Sequence, residues 1–107
     1  MTAESYTMLS AALPKYKVGT GFYLRDGDVY SVLGVLCEIA EVTLNIQPPR
    51  QIDKPTAAEK PYLGVWTFDG EVCVLPESVA AWAGITDRGF RLSKAFETGN
   101  LDNWEEL

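Results

Sequence analysis

Two Asp-Gly dipeptides, each set between β-prone segments and each followed by a helical apolar pattern, do most to limit the fold of this chain. Asp-Gly is a strong tight-turn signal, because two-residue hairpin loops call for positive φ and both residues accept it readily. The first pair lies in Phe22-Tyr-Leu-Arg-Asp-Gly-Asp-Val-Tyr30. Its implied register sets Arg25 opposite Asp28, Leu24 opposite Val29 and Tyr23 opposite Tyr30, three pairs that favour a ladder. The second pair, Asp69-Gly70, joins Leu63–Phe68 to Glu71–Leu75. There Phe68 meets Glu71, Thr67 meets Val72, Trp66 meets Cys73 and Val65 meets Val74. Both faces of this hairpin carry apolar groups, so it is either covered on both sides or leaves one face for a partner. The pattern predicts an α+β fold: a small antiparallel sheet built from two β-hairpins over residues 22–30 and 63–75, packed with three to five short helices. A faint repeat, Asp26-Gly-Asp-Val-Tyr-Ser-Val-Leu33 against Asp69-Gly-Glu-Val-Cys-Val-Leu75, points the same way.

The helical periods are readable between these turns. Residues 3–13 place Tyr6, Leu9 and Leu13 on one face, with Met8 and Ala12 beside it, Thr2 as N-cap and Pro14 as the stop. Residues 32–43 place Val32, Leu36, Ile39, Ala40 and Thr43 on one face, widened by Leu33 and Val35, with Glu38 and Glu41 facing away and Ser31 as N-cap. Gly34 inside that run costs about 1 kcal/mol relative to Ala unless another backbone packs against it, so a tight crossing is expected there. Pro76 opens a short helix with Val79, Ala80, Trp82 and Ala83 inward and Gly84 as its end. Residues 85–99 hold another, with Leu92, Ala95 and Phe96 inward and Gly99 ending it. Leu101, Trp104 and Leu107 then recur every three residues, and Asp102 and Glu105 have capping-box spacing. Residues 44–62, with Pro48, Pro49, Pro55 and Pro61, read as one long loop.

The chain has 107 residues, enough for one domain with a real core and too few for two. It carries 9 Lys and Arg against 15 Asp and Glu, a formal charge of −6, which argues against clamping nucleic-acid phosphates. No apolar run is long enough to span a membrane. The start, Met1-Thr-Ala-Glu-Ser5, does not read as a secretory signal, so a cytoplasmic location is expected. Cys37 and Cys73 both sit in apolar stretches and read as buried, reduced core residues.

Chemistry is harder to find. The chain has no histidine, which removes Ser-His-Asp and Cys-His nucleophile systems and the commonest transition-metal ligand. Gly19-Thr-Gly21 lacks the further glycines, the Lys and the following helix of a phosphate loop. Asp26-Gly-Asp28 lacks the remaining oxygen ligands of a calcium loop. No cofactor is implied. The 12 aromatic residues are many for this length. Tyr62, Trp66 and Phe68 are the candidates for an interface patch, since Trp and Tyr are enriched at binding hot spots. Asp102, Glu105 and Glu106 form an acidic end that suits a basic partner.

At Asp26-Gly-Asp-Val-Tyr-Ser-Val-Leu-Gly-Val-Leu-Cys-Glu-Ile-Ala40 the chain resembles a group of small, largely uncharacterised bacteriophage and bacterial proteins. In that group a hairpin reading roughly DG-x-x-CCLGVLCDLA leads into a helix. A later LP-x-x-V-x-x-WAGL segment is matched by Leu75-Pro-Glu-Ser-Val-Ala-Ala-Trp-Ala-Gly-Ile85. The resemblance covers roughly residues 8–99. Ser31 and Val32 stand where the group has paired cysteines, and its LND segment and acidic C-terminal helix are only dimly echoed by residues 92–107. The resemblance implies a small phage-type accessory protein. With no catalytic constellation, the expected action is non-catalytic binding to a host protein, as an inhibitor or modulator of a defence or metabolic enzyme. The alternative is a small-molecule or nucleotide-sequestering protein.

Overall fold

Backbone hydrogen bonds sort the chain into four α-helices, four two-residue strands and three 3-10 turns, in a computed structural model that describes residues 1–107. The helices are α1 (Ala3–Ala12), α2 (Val32–Leu44), α3 (Glu77–Ala83) and α4 (Phe90–Thr98). The strands are β1 (Arg25–Asp26), β2 (Val29–Tyr30), β3 (Arg50–Gln51) and β4 (Trp66–Thr67). The class is α+β. No helix is long and apolar enough to cross a membrane.

α2 is the centre of the core. Residues 32–37 and Ala40 are all buried, so its first turns are apolar on every side, the pattern of a helix enclosed by neighbours. α1, α3 and α4 all pack against it. The Ser31 hydroxyl accepts from the Gly34 N–H and caps α2, and Thr2 caps α1 by accepting from the Ser5 N–H. Gly84 and Gly99 end α3 and α4. Gly34 lies against the Leu24 backbone as its place in the pattern predicts: a Cβ there would fall on the Leu24 carbonyl, 2.6 Å from its carbon and closer still to its oxygen.

The strands pair differently from the predicted registers. In the first hairpin Arg25 faces Tyr30 and Asp26 faces Val29, so the turn falls one residue later than expected and every partner moves by two. Gly27, not Asp26, begins the two-residue loop, and it alone of that pair has positive φ (61°), the type II′ pattern. The reason for the shift lies in what it brings together. The Arg25 guanidinium stacks 4.8 Å from the Tyr30 ring centre and 4.0 Å from that of Trp66. It also sits 3.4 Å from Glu38, to which the Tyr30 hydroxyl donates at 2.8 Å. Glu38 therefore faces this cluster and not solvent.

In the second hairpin the Asp69-Gly70 turn forms with both residues at positive φ, but the ladder stops after the Phe68–Glu71 rung. β4 pairs instead with β3, which lies inside the expected long loop. Gln51 faces Trp66 where Cys73 was expected. Residues 44–62 are thus not one loop: they hold the end of α2, β3 and a 3-10 turn at Lys60–Tyr62. Beyond Glu71 the chain is claimed by other partners. The Leu24 N–H donates to the Val72 carbonyl (2.7 Å) and the Leu75 N–H to the Arg88 carbonyl (3.1 Å). Residues 101–106 form a 3-10 turn with no side-chain cap, so the predicted Asp102–Glu105 capping box is absent. Its Trp104 stacks on Tyr6 at 5.1 Å. Thr43, expected inward, is exposed and donates to the Ile39 carbonyl.

Candidate functional site

The diversion of residues 72–75 opens a cleft. On one side runs the loop Thr20–Phe22, on the other Cys73 and Val74, and α4 with the preceding Asp87-Arg88 closes the third side. Ser31 and Leu33 of α2 also line it, and its volume is about 370 Å³. Two phenylalanines stand over it with little cover: Phe22 is 90% and Phe90 67% exposed. Val74 is also exposed. Apolar surface left open around a concavity is the usual mark of a binding surface in a folded domain.

The local chain path explains why these side chains are not buried. α4 turns its Leu92 and Ala95 into the core. Phe90, two residues before Leu92, lies about 200° around the helix and so points outward. Asp87 holds the start of α4 in place: its carboxylate accepts from the Gly89 N–H (3.1 Å), the Arg91 N–H (2.9 Å) and the Arg91 guanidinium (3.3 Å). Burial works to raise that carboxyl, but these hydrogen bonds outweigh it and hold Asp87 below the usual carboxylate range. Arg88 is fixed as well, donating to the Leu75 carbonyl and pairing with Glu71 at 3.3 Å. The cleft's remaining charged groups, Lys94 and Glu97, have no ion-pair partner in the chain and are of opposite sign.

The two cysteines differ, contrary to the sequence expectation. Cys37 is buried in α2, and burial, with some help from the Glu38 charge, pushes its thiol far up. Cys73 is exposed on the wall of the cleft, because the strand that would have carried it inward does not form. Its thiol is also raised, by partial burial and by Glu71.

Of the predicted partner-binding residues, Phe68 is a correction: it is 1% exposed and among the largest fully buried side chains. Its position on the last rung before the Asp69-Gly70 turn points it into the core. Trp66 is half-buried, its indole N–H donating to the Gly27 carbonyl (3.1 Å) beneath the Arg25 guanidinium. Tyr62 is exposed, edge-on to Tyr23 at 6.0 Å. Asp102, Glu105 and Glu106 are exposed on the last 3-10 turn, which packs on α4. Tyr62 and Trp66 thus sit beside β1 and β3, apart from that acidic end. The cleft was missed because Phe22 reads as a strand residue and Cys73 as core. The available signal was Phe90, out of phase with Leu92, Ala95 and Phe96.

Glu38 and Glu41 lie near each other on α2, and burial and the Glu38 charge raise the Glu41 carboxyl. Neither lines the cleft. The domain is therefore a small α+β scaffold with a groove framed by two exposed phenylalanines, Phe22 and Phe90. No family model, curated protein or solved structure matches the chain.

Proposed function

We propose that this protein acts by non-catalytic binding, seating an apolar side chain of a partner protein in the cleft between Phe22 and Phe90. The observation that carries the reading is the exposure of those two rings over a 370 Å³ cleft in a domain that buries its other phenylalanines wholly or in part. Aromatic walls around a pocket suit a hot-spot contact, where one anchor commonly contributes about 2 kcal/mol or more. The resemblance to small phage accessory proteins supports a bacterial host protein as the partner and inhibition or modulation as the outcome. Sequestration of a nucleotide fits the cleft less well. Arg88 and Asp87 are already paired, and the free Lys94 is matched by Glu97, so little net positive charge is left for a polyphosphate.

The test compares the proteins retained from a bacterial lysate by the parent, by a Phe22→Ser/Phe90→Ser variant and by Trp66→Ala, each first checked for folding. The expected result is a specific partner held by the parent and by Trp66→Ala, with binding at least tenfold weaker for the double variant. Equal retention by the parent and the double variant overturns the reading.

A further inference from the structure

Resting on the cleft as the docking site, we infer that its occupant is an extended partner segment carrying an apolar residue and, two positions away, a Lys or Arg. The cleft has a neighbour. Asp69, Glu71, Pro76, Glu77 and Arg88 enclose a second hollow of about 210 Å³, lined mainly by polar groups. Its three carboxylates outnumber the one guanidinium, which Glu71 already engages. Arg88 lines both concavities, so the two are adjacent. Val74 lines the first and Pro76 the second. Two residues of chain span at most about 7 Å. That is also the separation of side chains i and i+2 on one face of an extended segment. An apolar side chain in the cleft thus puts the next side chain on its face over the acidic hollow.

The lips of the cleft can also receive backbone. Thr20, Gly21 and Phe22 on one side, and Cys73 and Val74 on the other, use neither N–H nor C=O in any hydrogen bond within the chain. An incoming strand would find free donors and acceptors there, the usual basis of strand-addition recognition. The charge of the hollow selects a basic residue and rejects an acidic one, since like charges brought together suppress wrong partners.

The probes are synthetic heptapeptides with one Leu or Phe and, two positions on, Lys, Glu or Ser, in otherwise neutral polar sequence. Binding is followed by amide chemical shifts of the labelled protein. The Lys peptides are expected to bind at least tenfold tighter than the Glu peptides, with shifts at residues 20–22, 73–75 and 77. The preference should shrink at 0.5 M salt and be lost in Glu77→Lys. Equal binding of Lys and Glu peptides, with both weakened by Phe22→Ser, overturns the basic-residue inference and leaves the docking reading standing. Binding indifferent to Phe22→Ser overturns both. If no peptide binds at millimolar concentration, the extended-segment inference is wrong, and the docking reading is judged by the captured partner.

Discussion

Gly34→Ala is expected to destabilise the domain by about 3 kcal/mol or more, the upper end of the range for overpacking. The neighbour is backbone, not a side chain that can turn aside. The Leu24 carbonyl occupies the space a Cβ would take, and that same oxygen accepts from the Ser31 N–H at 3.0 Å. Moving it would disturb the start of α2 and the Leu24–Val72 bond that ties the two walls of the cleft. Typical domains are stable by only about 5–15 kcal/mol, so much of the population would unfold under mild denaturant. Urea midpoints measure the effect. Gly21→Ala, where an added Cβ meets nothing within 4 Å, is the control and should stay within about 0.5 kcal/mol of the parent. A small effect at Gly34 would contradict the close crossing.

Phe68→Ala should cost about 3–5 kcal/mol, the range for deleting a fully buried ring and leaving a cavity. Phe68 belongs to the same continuous core as Leu24, Leu36, Leu75 and Val79. Tyr62→Ala, six residues upstream and exposed, should cost under about 1 kcal/mol. This contrast separates two residues that the sequence pattern groups together. Comparable losses at the two positions, read from denaturant midpoints at unchanged slope, would contradict the burial described for Phe68.

What was legible in the sequence was local. Thr2, Ser31, Gly84 and Gly99 mark helix ends through short-range hydrogen bonds and backbone preference, and each does so in the structure. Gly34 was legible because a glycine amid good helix formers needs a packing reason. Strand partners were not legible. A tight turn specifies its first rung, as Phe68–Glu71 shows, but the next rungs compete with every other edge in the fold. Trp66 goes to Gln51 because β3 returns alongside it, and Leu24 and Arg88 take Val72 and Leu75. A one-residue move of the turn in the first hairpin, made favourable by the Arg25–Tyr30–Glu38 cluster, shifts every partner by two residues and so changes each facing pair. The candidate site inherits these errors. Cys73 and Val74 would lie in a sheet had the second ladder continued, and the cleft exists because it does not.

The most direct test of the account is the rate at which Cys73 reacts with a thiol reagent, measured in the free protein and in the complex isolated with its partner. Cys73 lies on the cleft wall and Cys37 in the core, so one thiol per chain should react in the free protein and the second only on unfolding. If the partner fills the cleft between Phe22 and Phe90, the Cys73 rate should fall at least tenfold in the complex while Cys37 stays silent. An unchanged Cys73 rate in a saturated complex would show that the partner binds elsewhere and would contradict the account.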